Sequence, residues 1–358
     1  MHFLKIANLQ GMKVSFFRLD SIGEEIKEDL IRIIESGRLT RGEFTEKFEE
    51  AFKNFLGVRW VKTVNSGTTA LYAALRALDV NDKYVVIPAL SFMATVDAVL
   101  LAGGIPLVID VDETYTMDVN QLEDALKRYD VKVILPVHLF GNMADMPSIN
   151  WLAQKYGAYV LEDAAQAHGA LLEDIKAGAW GDISAFSFYA TKNVSMGEGG
   201  TVAVKNPSLV EKVKKLLDFG DTPAFNFRLS EFQCAVGLNS LRRLKENNRR
   251  RREIAQRYNK SFKGIFQLQK ERGYCVYHVY SLRHPKRDLI REKLEKKGIA
   301  TKVYYPYLLH ELRNTPHLST SKAKKFKKEL FALPIYPSLT DEEINYVIST
   351  LLEVVQNL

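Results

Sequence analysis

Cysteine is scarce in this chain: Cys234 and Cys275 are the only two among 358 residues. Two cysteines cannot build a disulfide framework or a cysteine-rich zinc site, and they suit a reducing compartment. The seven histidines are scattered without zinc-ligand spacing, so the sequence predicts no metal site. Glycine and proline, at 21 and 11 residues, are too few for a collagen-like or low-complexity chain.

Long apolar runs are absent as well. The most apolar stretch, residues 96–109, is interrupted by Asp97, Gly103, Gly104 and Pro106, and it is too short to cross a bilayer. The first residues contain no apolar core of signal-peptide length and no small-residue cleavage site. With 46% hydrophobic and 26% charged residues, the chain has the balance of a soluble globular protein. We expect a cytoplasmic protein without membrane contact.

An excess of basic residues, 50 against 43 acidic ones, gives a net charge of +7. This excess is compatible with nucleic acid, with an anionic small molecule or with solubility alone. The arginine run at 249–252, with Arg242 and Arg243 before it, is the strongest indication of nucleic acid. Consecutive arginines spread around a helix, however, and Glu246 and Glu253 interrupt them. The pattern therefore favours a solvated helix surface, and we predict no nucleic-acid partner.

Strand and helix patterns alternate through the first two thirds of the chain. Short apolar runs such as YVVIP and PLVIDV precede segments with helical spacing such as VNQLEDALKRY. Strands separated by helices of this length predict a mainly parallel sheet with helices on both faces. The runs ISAFSFY and GGTVAV are joined by a loop alone, which predicts an antiparallel pair.

Composition shifts near residue 230. The stretch EFQCAVGLNSLRRLKENNRRRREIAQRYNKSF has the pattern of one long helix, and strand and helix patterns then resume towards the C terminus. We predict an N-terminal arm at 1–20, a large domain at 21–245 and a small C-terminal domain at 246–358.

Polar residues follow several of the predicted strands. In open α/β sheets, ligands bind beyond the carboxyl ends of the strands. Ser66, Gly67 and Thr68 stand at a helix start, where free N–H groups and the helix dipole attract an anion, although an ordinary helix cap has the same pattern. Asp163 ends an apolar strand, and it fits either an active-site carboxylate or a helix cap.

An aromatic and a lysine complete this set. Phe92 stands at a loop-to-helix junction, where it fits either the core or a ring-stacking platform. Lys192 lies between two strands, near Ser187 and a glycine-rich turn at 197–200. An anion cradle, an aromatic, a strand-end carboxylate and a lysine on successive loops are what pyridoxal phosphate requires. The lysine bonds the cofactor, the carboxylate pairs with the pyridine nitrogen, the aromatic stacks on the ring, and the helix start holds the phosphate.

The same stretches carry a family resemblance. VLEDAAQAHGA, SFYATKN and GEGG occur in order, with NSGTTALYAALRAL before them and NFRLSEFQCAVG after them. From about residue 17 onward, the chain resembles the nucleotide-sugar aminotransferases of the DegT/StrS type, which are fold-type-I pyridoxal-phosphate enzymes. The resemblance implies an α/β protein with an aspartate-aminotransferase-like large domain, built on a mainly parallel mixed sheet, and a smaller C-terminal α/β domain.

The resemblance also implies roles for individual residues. Lys192 corresponds to the lysine that binds the cofactor and moves the substrate proton, and Asp163 to the partner of the pyridine nitrogen, with a depressed pKa. The other implied cofactor contacts are Gln166 at the phenolic oxygen, Phe92 on the ring face, and Ser66, Gly67, Thr68 and Ser187 at the phosphate. Asn226 is implied to reach the cofactor phosphate of a neighbouring subunit, which predicts a homodimer with shared active sites. The implied substrate contacts are His168, Tyr305 and His310.

The implied reaction moves an amino group from an amino acid, L-glutamate by resemblance, to a nucleotide-linked keto-deoxysugar. A related dehydratase branch has histidine at the position of Lys192, and this chain does not. Two alternatives stay open from the sequence. One is an aminotransferase that acts on a cyclitol or another cyclic ketone, and the other is a non-catalytic regulatory or nucleic-acid-binding protein of the same fold.

Overall fold

The computed structural model describes residues 11–19, 23–218, 220 and 223–358. The predicted arm at 1–20 lies largely outside the described residues. Within it, Val14 pairs with Ile299 in an isolated bridge and exchanges backbone hydrogen bonds with Gly298 and Ala300. This part of the predicted arm is therefore attached to the C-terminal third of the chain.

The described residues contain twelve α-helices. They are Lys27–Ser36 (α1), Glu43–Leu56 (α2), Gly67–Ala77 (α3), Ala94–Leu101 (α4), Val119–Arg128 (α5), Met146–Tyr156 (α6), Val210–Leu217 (α7), Glu231–Phe262 (α8), Arg287–Lys296 (α9), Leu309–Arg313 (α10), Ser321–Glu329 (α11) and Asp341–Gln356 (α12). Side-chain oxygens accept hydrogen bonds from first-turn N–H groups at Ser66 for α3, Ser230 for α8 and Thr340 for α12. These caps fix where each helix begins.

The strands of the described residues form three sheets. They are Trp60–Val64 (β1), Tyr84–Pro88 (β2), Ile105–Ile109 (β3), Val131–Ile134 (β4), Tyr159–Asp163 (β5), Leu171–Leu172 (β6), Ile175–Lys176 (β7), Ile183–Ser187 (β8), Gly200–Val204 (β9), Gln267–Leu268 (β10), Tyr280–Arg283 (β11) and Leu330–Leu333 (β12). The large sheet has the order β1-β9-β8-β5-β4-β2-β3, and the small sheet has the order β10-β11-β12. A hairpin of β6 and β7 is the third.

The large sheet is mainly parallel, as predicted. Its β2–β3, β2–β4, β4–β5 and β5–β8 pairs are parallel. Strand β9 is antiparallel to β1 and to β8, which confirms the prediction for ISAFSFY and GGTVAV. Because β1 and β8 both oppose β9, they run in the same direction, and the carboxyl ends of β1, β2, β5 and β8 meet at one edge.

Helix α8 connects the large sheet to the small one. Its first half contributes Leu238 and Leu244 to a core beneath the large sheet. Its second half contributes Tyr258 and Phe262 to a separate core with Phe331 of β12. The predicted domain boundary at residue 245 falls inside this continuous helix, and the division at 20, 245 and 358 stays a prediction.

Two local predictions are wrong. The sequence of the segment TKVYYP is typical of a strand, but the segment forms none and contributes only a bridge between Lys302 and Ala332. The arginine run is not a fully solvated surface, because Arg251 is only 6% exposed and donates to the carbonyls of Tyr277 and Ile335. These carbonyls replace water as partners of the guanidinium.

Within the described ranges, no helix combines the length and the apolar character that a bilayer crossing requires.

Candidate active site

An anion cradle lies where β1 meets α3. The N–H groups of Gly67 and Thr68 have no acceptor among the described residues, because they belong to the first turn of α3. A Cβ at Gly67 would come within 2.7 Å of the Ser187 Cβ, and one at Gly200 within 2.3 Å of the Ser66 carbonyl oxygen. Glycine at both positions lets the start of α3 approach β8 and β9. Two free N–H groups beside the Ser187 hydroxyl form a donor set that fits a phosphate.

Asp163 lies at the carboxyl end of β5, with 6% of its surface exposed. Thr95 Oγ1 donates to its Oδ2 at 3.1 Å, and Ala165 N donates to its Oδ1 at 3.2 Å. Burial raises the pKa of Asp163, while these hydrogen bonds and the positive charge of Lys192 act in the opposite direction. The depressed pKa is predicted for Asp163 beside the pyridinium of the cofactor, and it stays a prediction. A cation placed against this carboxylate would lower the pKa.

Lys192 lies in the turn after β8, where its backbone N–H donates to Tyr189 at 2.8 Å. Its Nζ has no hydrogen-bond or ion-pair partner in the described part of the chain. Burial lowers the pKa of Lys192 to about 8, and the nearby Asp163 carboxylate raises it. A half-buried amine whose pKa lies this close to neutral is readily deprotonated and can act as a nucleophile or a base.

Gln166, Tyr305 and Phe92 meet on one side of this lysine and aspartate. Gln166 Nε2 donates to the Tyr305 hydroxyl at 3.0 Å, and Gln166 Oε1 accepts from Phe140 N at 2.8 Å. The Phe92 ring lies 6.1 Å from the Tyr305 ring and stays 48% exposed. An exposed aromatic at the end of a buried strand is available to stack on a planar ring.

Asn226 lies on an exposed loop and makes no contact with Lys192 or Asp163 of its own chain. Its neighbours Phe225 and Phe227 stack on each other at 5.0 Å and pack against Tyr72 of α3. Asn226 itself is exposed. The structure leaves the predicted contact with a second subunit untested.

Two predicted substrate contacts are placed elsewhere. His168 has no exposed surface and packs against Phe186 and Phe188. Burial, together with the charge of Lys192, lowers its pKa to about 3. Neutral His168 therefore packs in the core of the protein alone, and its contact with the substrate stays a prediction. His310 lies in α10 with its ring 4.2 Å from His317, and no contact brings it to Lys192.

Glu162 and His138 form a pair behind Asp163 that was not predicted from the sequence. Glu162 has no exposed surface, and it accepts from the N–H groups of Gly178, Trp180 and Gly181 at 2.7–2.8 Å. His138 Nε2 lies 2.8 Å from the same carboxylate. These bonds join β5 to the segment that begins β8, and so they set Asp163 relative to Ser187 and Lys192. The feature of the sequence that could have indicated this pair is a glutamate within an otherwise apolar strand.

The site as a whole fits pyridoxal phosphate. Free N–H groups match the phosphate, the buried Asp163 carboxylate matches a protonated pyridine nitrogen, and the unpaired Lys192 amine matches the carbonyl carbon. Exposed Phe92 offers a stacking face. No group of three or more His, Cys, Asp or Glu side chains in the described residues could hold a metal ion.

Comparison with known proteins agrees with this geometry. The family model described as "DegT/DnrJ/EryC1/StrS aminotransferase family" matches residues 20–352. The chain belongs to this family. It is therefore an aminotransferase, and its cofactor is pyridoxal 5'-phosphate.

Individual relatives of this aminotransferase are similar over nearly their whole length. The 3-oxo-glucose-6-phosphate:glutamate aminotransferase of Bacillus subtilis is 32% identical, across 98% of this chain and 85% of its own. The UDP-N-acetyl-3-dehydro-alpha-D-glucosamine 3-aminotransferase of Acidithiobacillus ferrooxidans is 34% identical, across 90% and 91%. The crystal structure of NtdA from Bacillus subtilis with bound cofactor PMP has a TM-score of 0.87 and 32% identity, covering 96% of this chain and 85% of that one.

Proposed function

We propose that this aminotransferase moves the amino group of an amino acid, L-glutamate, to a nucleotide-linked keto-deoxysugar and so produces an amino sugar. The observation that carries the proposal is the unpaired Lys192 amine, with a pKa lowered to about 8, beside the buried Asp163 carboxylate. The names of the relatives support a sugar acceptor, and one of them is a UDP-linked sugar.

Each residue has a defined task in this proposal. Pyridoxal phosphate, when bound, supplies an electron sink next to the substrate carbon. Asp163 holds the pyridine nitrogen protonated, with Thr95 fixing the carboxylate from behind. Lys192 would bind the cofactor at rest, and during turnover its free amine would take a proton from the substrate carbon and deliver it to the cofactor carbon that carried the carbonyl group.

The remaining cofactor contacts hold the group in place. Gly67, Thr68 and Ser187 bind the phosphate, with Ser66 capping the same helix. Gln166 donates to the phenolic oxygen in place of its present bond to Tyr305, and Phe92 stacks on the ring. Tyr305 then remains the predicted substrate contact that lies at the site.

We also propose a homodimer in which each site uses a residue from both subunits. The exposed position of Asn226, away from its own Lys192, supports this arrangement. Exposed apolar side chains on and after α1, at Ile31, Ile34 and Leu39, support a contact surface. Mixing inactive Lys192→Ala and Asn226→Ala proteins would restore one intact site per mixed dimer, and so restore activity, if the sites are shared.

The acceptor is tested by separating the two half-reactions. Excess L-glutamate should remove the visible absorbance of the lysine-bound cofactor, and the donor is then washed out. A UDP-linked 3-keto-sugar or a dTDP-linked 4-keto-6-deoxysugar should restore the absorbance. Restoration by a 3-oxo-hexose 6-phosphate alone, or by a cyclitol ketone alone, would replace the proposed acceptor. No response to any amino donor would favour a non-catalytic protein.

A further inference from the structure

A chain of buried amides leads from the backbone to a histidine beside Lys192. The carbonyl of His168 accepts from Asn248 Nδ2 at 2.8 Å. Asn248 Oδ1 in turn accepts from Asn193 Nδ2 at 2.8 Å. Asn193 Oδ1 then lies 3.2 Å from Nδ1 of His278. Asn193 and Asn248 are each 4% exposed, so water does not compete for these bonds.

This chain determines the tautomer of His278. A backbone carbonyl can only accept, so Asn248 must present its Nδ2 to His168 and its Oδ1 to Asn193. By the same logic Asn193 presents Nδ2 to Asn248, and its Oδ1 remains for His278. The second bond of Asn193 Nδ2, to the Val276 carbonyl at 3.3 Å, requires the same orientation. His278 therefore carries its proton on Nδ1, and Nε2 keeps a lone pair.

The Nε2 atom makes no hydrogen bond to any residue that the structure describes. His278 lines a small cavity with Thr191, Arg251 and Tyr304. A larger cavity of about 450 Å³ adjoins it, shares Thr191 and Arg251, and contains Lys192. Arg251 donates to the carbonyl of His278 and to that of Ile335, which fixes the backbone at this position.

Burial and the surrounding charges keep His278 neutral. Burial lowers its pKa well below the ordinary value, and the positive charges of Lys192 and Arg251 act in the same direction. Lys192 supplies a donor to this region, while Nε2 of His278 supplies an acceptor. A ligand that uses both groups needs an accepting atom and a donating atom close to its reacting carbon.

We propose that His278 is a substrate-contact residue whose Nε2 accepts a hydrogen bond from a hydroxyl next to the keto carbon of the sugar acceptor. The proposal rests on the proposed function, since it requires a carbohydrate acceptor. Sugars carry such hydroxyls. In L-glutamate the carboxylates carry no donor and the amino nitrogen is the atom that is transferred, so His278 serves the acceptor half-reaction and not the donor half-reaction.

The test compares His278→Phe, which keeps a ring without nitrogen, with His278→Gln, which keeps an oxygen that can accept. The cofactor's visible absorbance shows that each variant is folded and loaded. In His278→Phe, the acceptor half-reaction with the best nucleotide keto-sugar should slow by roughly 5- to 150-fold, because the sugar hydroxyl loses its partner. The half-reaction with L-glutamate should be unchanged, and His278→Gln should retain more acceptor reactivity than His278→Phe.

Two further measurements separate a contact from a structural effect. A deoxy acceptor without the neighbouring hydroxyl should react equally with wild type and His278→Phe. Calorimetry should show weaker binding of the nucleotide amino-sugar product to His278→Phe, by a similar factor. Equal loss in both half-reactions, or no loss in either, would overturn the proposal. Failure of the wild type with every nucleotide keto-sugar would instead refute the proposed function on which it rests.

Discussion

Thr95 donates a hydrogen bond to Asp163 across the edge of the large sheet, with 3.1 Å between Oγ1 and Oδ2. The Thr95 hydroxyl also lies 2.8 Å from Ser91 Oγ. Thr95 and Ser91 each have at most 1% of their surface exposed. A residue of α4 thus fixes the carboxylate at the end of β5, and this arrangement leads to a graded prediction for the two partners.

Asp163→Asn should lower turnover far more than Thr95→Val. Loss of the carboxylate leaves the pyridine nitrogen without its charged partner, and removal of one member of a buried pair costs about 3–5 kcal/mol. Loss of the threonine hydroxyl removes one bond to a charged group, worth about 1.5–3 kcal/mol. Steady-state kcat of both variants, with cofactor loading matched by absorbance, checks this order. Equal effects would contradict the assigned roles.

Capture of the cofactor by the apo-protein should follow the titration of Lys192. Its pKa is lowered to about 8 because burial disfavours the ammonium form. The reactive amine therefore accumulates as the pH rises through about 8, and the capture rate should rise there and level off above it. Stopped-flow absorbance across a pH series measures this profile.

Asp163→Asn provides the control for that profile. The carboxylate raises the pKa of Lys192, so its removal should move the inflection to a lower pH. An inflection near the ordinary lysine value of about 10.4 in the wild-type protein would contradict the buried position of the amine.

Gly67→Ala should weaken cofactor binding by crowding the phosphate cradle. The added Cβ would come within 2.7 Å of the Ser187 Cβ, so α3 and β8 would have to separate. Ser187→Gly removes the obstructing atom, at the cost of the hydroxyl. In that background, Gly67→Ala should add little further loss of cofactor affinity, and additive losses in the double variant would argue against the steric cause.

Glu162→Gln should destabilise the protein through the connection between β5 and β8. The buried carboxylate accepts three backbone N–H bonds and contacts His138. In the glutamine variant, the side-chain NH2 group would face some of these backbone N–H groups, and two donors cannot form a hydrogen bond. We expect a loss of roughly 1.5–3 kcal/mol in unfolding free energy by denaturant titration. Glu28→Gln, on the exposed part of α1, is the matched control and should unfold like wild type.

Much of this account was accessible from the sequence because its signals are local. The apolar strand ending in Asp163 and the cap at Ser66 follow from short patterns, and the fold and cofactor that they imply are confirmed by the family match. The antiparallel strand β9 also followed, since a loop without a helix connects it to β8.

The remainder depends on contacts between distant segments. His168 stands in the motif that carries Asp163, yet its ring enters the core between Phe186 and Phe188. Arg251 belongs to a charged run, yet carbonyls near residues 277 and 335 enclose it. His278 is separated from Asn193 by 85 positions. Sequence spacing does not encode which side chains meet across such separations.

The most direct test of the central claim identifies the lysine that binds the cofactor. The holoenzyme would be reduced with borohydride, digested and mapped by mass spectrometry. We predict that the pyridoxyl group is found on the peptide containing Lys192, and that Lys192→Ala protein shows neither the adduct nor the visible absorbance. An adduct on another lysine, or unchanged turnover in Lys192→Ala, would contradict the account.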